Sequence, residues 1–442
     1  MRTLPILTAS LCAFVSLPLS AAQLYRVGLT RPQQTLNALF AAVDLGPGDV
    51  VEVDGGVTYA GNIVVPAADG GSAAAPVTIR GVRVNAQRPL LSGGTNTVYF
   101  NRADHLVFEG FEVTGGSSRC ILQGAHDVTV RDSVIRDCPR HGILATDQFS
   151  GSFTLENSEI YNAGAGTNSH SLYIQSDEVA YPGSVFRMRH CYVHDGHGGN
   201  LLKSRHERNE IQYNWFEGST YHELELIGPD AETQQDGWTE DLVREDSDVV
   251  GNVIVHTNAA FGSVIRVGGD GSGQSKGRAR FVNNTFLLAS GTDTTVFRIF
   301  DGIQAVEMHN NVIDVLGNGV ARIERSVEAV WTSGRQIRGG NNWVKQNSSF
   351  VPAEWNATLK GSAAGFVDPA TRNLQLAAGS ALRNAGSDTP TATPPFNLPN
   401  PTFPNPLVVP LFEPRRGLTP VAGGTARPKQ APIDIGAFES RF

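Results

Sequence analysis

Tyr173, Lys203, Glu225, Arg266 and Arg298 are the residues of this sequence best placed to do chemistry together. They emerge as a column when short apolar segments are stacked by their inward residues. Ile143 and Ala145 sit over Leu172 and Ile174, then Leu202 and Ser204, Leu224 and Leu226, Ile265 and Val267, and Phe297 and Ile299. Side chains alternate faces along a strand, so the residues between each pair point outward together, starting at Leu144, in strands about 4.8 Å apart. Gln175 and Arg205 flank this column on one side, Ser171 and Glu223 on the other, and His170 enters just before the strand carrying Tyr173. Such a strip suits β-elimination of a uronate glycoside. A lysine crowded by cations has lowered proton affinity and can remove the C5 proton, while neighbouring arginines pin the carboxylate and the enolate derived from it. The expected roles are Lys203 as base, Arg205 and Arg266 as the carboxylate clamp, and Tyr173 or His170 as the acid for the leaving oxygen. Glu223, Glu225, Arg298 and Gln175 are expected to line the substrate.

The same residues admit other readings. Alternating Lys, Glu and Arg on a regular face can form a solvated salt-bridge ladder, each pair contributing about 0–1 kcal/mol. The groove would then bind carbohydrate, or associate with the envelope, without cleaving anything. Glu223 and Glu225 are alternatively a carboxylate pair for glycoside hydrolysis, both turned outward by a regular strand and about 7 Å apart at Cα. No cofactor is required by either route. The acidic segment from Asp230 to Asp248, with Glu232, Asp236, Glu240, Asp241, Glu245 and Asp246, offers oxygens to calcium, although solvated loops are commonly acidic. His190, His194, His197 and His206 cluster in sequence but fall on different sides of one turn of chain, which argues against zinc. The glycines from Gly268 to Gly273 lack the strand-to-helix context of a phosphate loop.

What positions such a column is a repeat. Asn214, Asn252, Asn284, Asn311 and Asn342 each stand two residues before an apolar residue: Phe216, Ile254, Phe286, Ile313 and Val344. Ser133, Ser158 and Cys191 occupy the same slot upstream. Short apolar strands with an amide or small residue at a fixed turn are the pattern of a parallel β-solenoid, in which stacked amides satisfy backbone groups buried at the corner. The fold class expected from the repeat is all-β, a parallel β-solenoid, for which the family resemblance given below implies a right-handed parallel β-helix. Leu36, Leu39, Phe40 and Val43 share one helical face before Gly46-Pro47-Gly48-Asp49, so a helix there is expected to cap the first coil. Long connections at 164–169, 227–248 and 268–277 leave the regular coil beside the column. The organisation expected is a leader at 1–22, the solenoid at 23–386, and a Pro-rich irregular tail at 387–442 packing outside it.

The leader reading rests on Arg2, the apolar run from Leu4 to Leu19 and the small residues Ser20-Ala21-Ala22, and it implies a secreted or periplasmic protein. No other stretch is apolar and long enough for membrane insertion. A net charge of −8 argues against nucleic acid, so an acidic polysaccharide, the expected partner, must meet a local basic patch. Oligomeric state is not legible. Cys120, Cys138 and Cys191 are too few for a disulfide scaffold; a Cys120–Cys138 bridge is open, with small buried core thiols the commoner outcome for such residues.

On these residues the chain resembles the right-handed parallel β-helix, pectate-lyase-like superfamily. The resemblance rests on the opening helix, Pro47-Gly48-Asp49-Val50-Val51 and the closing Asp434-Ile435-Gly436-Ala437-Phe438-Glu439. His170-Ser171-Leu172-Tyr173-Ile174 and Leu202-Lys203-Ser204-Arg205 are similar to an uncharacterised exported bacterial subgroup. The segment from Leu202 through Asn209, Ile211 and Tyr213-Asn214 to Phe216 also resembles the lysine-bearing coil of the alginate lyase and chondroitinase B family. There a lysine acts as base, an arginine assists, and calcium on acidic residues neutralises the uronate. That resemblance implies Lys203 as base. The acidic metal positions are Gly196 and Gly198 here, and the arginine position falls near Leu226, so the metal site and the arginine do not carry over.

Overall fold

The computed structural model describes residues 21–229, 237–239, 245–258, 260–269, 275, 277–289, 294–300, 302–326, 334–390, 408–418, 424–428 and 432–441. The leader segment 1–20 lies outside them. Among the described residues no helix is long and apolar enough to cross a membrane.

Three long parallel sheets, of 13, 12 and 10 strands, wind into a right-handed β-helix. Each coil gives one strand to each sheet, here called A, B and C in the order the chain visits them. Strands this short, of 2–6 residues, close a coil because a two-residue corner joins sheet A to sheet B. The first corner residue is left-handed, with φ of +44° to +65° at Asp132, Asn157, His190, Tyr213, Gly251, Asn283, Asn310 and Asn341. The second is the amide slot. Asn214, Asn252, Asn284, Asn311 and Asn342 are fully buried. Each of the first four donates its Nδ2 to the next coil's Oδ1 at 3.0–3.1 Å and to a main-chain carbonyl of the preceding coil. Their backbone N–H groups bond the same oxygens. Ser133, Ser158 and Cys191 carry the ladder upstream, with the Cys191 N–H on Asn214 Oδ1 at 2.9 Å.

Inside the coil, matching residues stack in rows. Sheet A contributes Ile79, Phe108, Val130, Leu155, Met188, Ile211, Val249, Phe281 and Met308, all essentially inaccessible to solvent. The helix runs over Leu36–Ala42, with Thr35 Oγ1 accepting the Ala38 N–H at 3.1 Å and Leu36 and Leu39 buried against the first coils. Cys120 and Cys138 are joined by a disulfide, so the bridge forms in place of two core thiols; Cys191 is free and buried.

The last strands of the sheets end at Leu359–Gly361. Beyond them, Ala364, Phe366, Leu374, Leu376, Leu382, Ile435, Ala437 and Phe438 pack on an apolar outer face of sheet B made by Trp215, Val253, Val255, Leu287, Val312 and Trp343. Sheet C is the face that carries the column.

Candidate active site

Strand pairing in sheet C brings the column together. Leu144 pairs with Tyr173, Tyr173 with Lys203, Lys203 with Glu225, Glu225 with Arg266, and Arg266 with Arg298. Two extensions were not read from sequence. Arg325 follows Arg298 in the next coil, and Leu122, Tyr99 and Val64 continue the column below Leu144. The strip therefore changes character along the helix axis, from apolar and aromatic to strongly cationic.

Glu225 is the electrostatic centre. Its carboxylate is nearly inaccessible and takes a hydrogen bond from Arg266 at 2.9 Å on Oε1 and from Asn200 Nδ2 at 2.6 Å on Oε2. Lys203 Nζ stands 3.6 Å from Oε2. Burial alone would raise the Glu225 pKa; Lys203, His222 and Arg266 outweigh it and hold the pKa below the ordinary value. The ammonium of Lys203 also lies 5.3 Å from the centre of the Tyr173 ring. Arg266 spends its second terminal nitrogen on the Gly269 carbonyl and stacks 4.1 Å over Phe300, with Arg298 5.2 Å from the same ring. Burial, followed by the Arg266 and Arg325 cations, lowers the Arg298 pKa. Among the described residues Glu225 is the one carboxylate acting on it.

Three expected site residues, Arg205, Glu223 and His170, sit differently from the simple alternation, and Gln175 keeps its expected place. Arg205 is buried: its NH1 donates to the Gly228 carbonyl at 2.5 Å and its Nε to the Tyr173 hydroxyl at 3.2 Å. It supports Tyr173 and is held at the strand end by the Gly228 carbonyl, away from the outward position expected beside Arg266. Glu223 does not join Glu225 on the strip. The strand begins only at Leu224, and Glu223 turns into a sealed pair with His256 Nδ1 at 3.0 Å and Ser219 Oγ at 2.6 Å. That removes the two-carboxylate arrangement for hydrolysis. His170 is buried, and its Nδ1 accepts the Asn200 N–H at 2.9 Å. Burial and then the Lys203 cation push its pKa down to about 3, so it is a neutral imidazole. Gln175 lies opposite Arg205 in register and is half-buried.

Sequence reasoning missed a polar row beside the column. His141, His170, Asn200 and His222 stand in register at the entries of successive sheet C strands, linked by backbone N–H donation onto His141 Nδ1 at 3.3 Å, His170 Nδ1 at 2.9 Å and Asn200 Oδ1 at 3.0 Å. The readable signal was the repeat of a ring or amide residue three positions before each column residue.

The calcium option does not gain a site. Asp230, Glu232, Asp236, Glu240 and Asp241 lie outside the described residues. Asp248 is buried between Arg208 and Arg280, which neutralise it. Among the described residues no group of three or more His, Cys, Asp or Glu is arranged to hold a metal. A cleft of about 720 Å³ lies elsewhere, between sheet A and the tail at His190, Tyr213, Leu411 and Phe412. Its acids Glu109 and Glu156 are matched by Arg131, and no column residue lines it.

The comparison with known families settles the architecture. A family described as "Right handed beta helix region" matches residues 68–225 and 120–313, together more than half of the chain. The chain belongs to the right-handed β-helix family. The crystal structure of pectate lyase Pel9A superposes on this β-helix protein with a TM-score of 0.53 at 15% identity, covering 96% of this chain and 98% of that one. An alginate lyase from Paenibacillus sp. str. FPU-7 has a TM-score of 0.39 at 16% identity, covering 76% and 99%. A complex of XylC with xylose has a TM-score of 0.49 at 8% identity, covering 77% and 86%. At these identities the likeness is one of fold. No curated protein matches the sequence.

Proposed function

We propose that this β-helix protein binds an acidic polysaccharide along sheet C and cleaves it by β-elimination. The carrying observation is the run Arg266, Arg298, Arg325 on three successive coils, for which, among the described residues, Glu225 is the carboxylate that bonds Arg266 and acts on Arg298, in a chain of net charge −8. An unbalanced row of guanidinium groups at one-coil spacing suits a polymer that carries carboxylates along its length. The fold shared with pectate lyase Pel9A is compatible with this reading, but the reading stands on the column itself.

The chemistry assigned to the column has three parts. Arg266 and Arg298 hold the uronate carboxylate and the negative charge that builds on it as C5 loses its proton. Lys203, as the free amine, takes that proton, and the C5–H electron pair becomes the C4–C5 double bond as the C4–O bond breaks. The leaving oxygen takes the Tyr173 proton, and the phenolate so formed keeps the 3.2 Å hydrogen bond from Arg205. Tyr173 is preferred over His170 as the acid because His170 is neutral and its Nδ1 is committed to the backbone. The family positions that would carry acidic metal ligands are Gly196 and Gly198 in this chain, so no step passes through a metal.

We also propose export to an oxidising compartment, on the strength of the leader-like start and the Cys120–Cys138 disulfide. A panel of uronate polymers tests the activity. A lyase gives the ultraviolet absorbance of a 4,5-unsaturated product, a hydrolase gives reducing ends without it, and a binder gives neither. Reducing ends without absorbance overturn the elimination chemistry.

A further inference from the structure

Lys203 faces a problem as a base, because a carboxylate beside it favours the protonated ammonium. The geometry points to Asn200 as the positioning residue that relieves this, by drawing the Glu225 carboxylate off Lys203. The inference rests on the proposed lyase reading and adds a residue to it. Glu225 presents two oxygens. Oε1 is taken by Arg266 at 2.9 Å and Oε2 by the Asn200 amide at 2.6 Å, while Lys203 is left at 3.6 Å from Oε2, beyond direct hydrogen-bond length. Asn200 and Lys203 compete for one oxygen, and Asn200 holds the shorter bond.

The amide can hold that oxygen because it cannot turn. Asn200 is buried, and its Oδ1 accepts the His222 backbone N–H at 3.0 Å and faces His222 Nδ1 at 3.3 Å. A flipped amide would set its NH₂ against a backbone N–H. The orientation therefore follows from the bonds, and with it His222 carries its proton on Nδ1. On the other side the Asn200 N–H is anchored on His170 Nδ1, whose neutrality is enforced by burial and by Lys203, against the opposing pull of Glu225, with Arg205 adding further positive charge. The Tyr173 ring meets His170 edge-on at 5.3 Å. A wholly structural ladder would need the backbone contacts alone; the Nδ2 bond to Glu225 is the part it leaves unexplained.

Crystal structures and steady-state kinetics of Asn200→Ala and Asn200→Asp test the inference. Asn200→Asp keeps an acceptor for His222 while setting a second carboxylate against Glu225, so it guards against a mere folding defect in the alanine variant. In Asn200→Ala the Glu225 carboxylate is expected to close on Lys203 to hydrogen-bond length. On a cleaved uronan, kcat is expected to fall about tenfold with KM within about twofold, and the loss should vanish in a Glu225→Gln background, where the competing charge is gone. A Glu225 carboxylate that stays in place in both variants overturns the inference, whatever the protein acts on. So does a kcat loss that persists undiminished beside Glu225→Gln. If Glu225 moves as expected but no uronan is cleaved by the wild type, the positioning inference stands and the lyase reading falls.

Discussion

Arg298 shows most clearly how a residue's surroundings argue for a ligand. Among the described residues this guanidinium is flanked by Arg266 and Arg325 and acted on by one carboxylate, Glu225, which already bonds Arg266, and that is less pairing than a surface salt-bridge ladder supplies. The contrast lies on the same molecule. In sheet A, Arg26, Glu52, Arg80, Glu109, Arg131, Glu156 and Arg189 alternate in sign coil by coil. That row is balanced, and among the described residues the sheet C row is not. Arg298→Ala is therefore expected to weaken binding of a uronate oligomer by about tenfold or more, the scale of one lost charge-assisted hydrogen bond, without lowering thermal stability. Calorimetric titration against the wild type measures it. Unchanged affinity would return the row to the status of a solvated face. At this scale the column was legible from alternation, because every member lies in the middle of a strand. Glu223 and Arg205 were misplaced because they lie at strand ends, where local turn geometry and contacts such as the Gly228 carbonyl decide direction. Asn200 and His222 escaped notice for the same reason.

At the scale of elements, the corner between sheets A and B does most to define the coil. Its amide slot was readable because a chemical requirement, one buried acceptor and donor per coil, imposes one residue type at one position. The spacing between slots varies since the long connections loop out elsewhere. Asn284 makes the case quantitative: its side chain bonds Asn311 Oδ1 and the Val249 carbonyl and accepts from Asn252. Asn284→Leu should cost roughly 1–3 kcal/mol, since those partners are left buried and unsatisfied. Urea unfolding reads this directly, and a change within about 0.5 kcal/mol would fit a surface turn instead. The alternating charges of sheet A belong to this scale too. Each exposed pair adds little energy, but a slipped register would lose the alternation, so the row helps specify which strand lies over which.

For the whole molecule, the histidines set a pH limit. Burial pushes the pKa down to about 4 in His141, His190, His206 and His309 and to about 3 in His170 and His222. Unfolded histidines take up protons below about pH 6.5, so the folded state is disfavoured progressively as pH falls from there towards the folded values. His256 works the other way. Burial lowers its proton affinity, but Glu223 raises it further, so its contribution is present below about pH 6.5 and lost as pH rises through its folded value. His126 is lowered by burial as well, and His194 is raised like His256, its burial outweighed by Glu159 and Asp195, so seven groups against two predict a marked fall in Tm between pH 6.5 and 4.5. A flat Tm across that window would mean the seven rings accept protons in place. Reduction of Cys120–Cys138, which closes a loop of sequence separation 18, is expected to cost about 2–4 kcal/mol on top of this. The parallel β-helix and its capping helix were readable from the repeat, whereas the end of the sheets at Gly361 and the packing of Ala364 to Leu382 on sheet B were not. The disulfide was not, because pairing depends on which coils become neighbours and no spacing rule reports that.

The most direct test of elimination at this strip is the ultraviolet absorbance of the unsaturated product, followed for wild type and Lys203→Ala on the same uronate polymer at matched binding and matched Tm. The wild type should produce the absorbance, and Lys203→Ala should bind the polymer but turn it over about 10²–10⁴-fold more slowly. Wild-type turnover in Lys203→Ala would contradict the role given to Lys203, and a wild type that binds the polymer without ever producing the absorbance would contradict elimination itself.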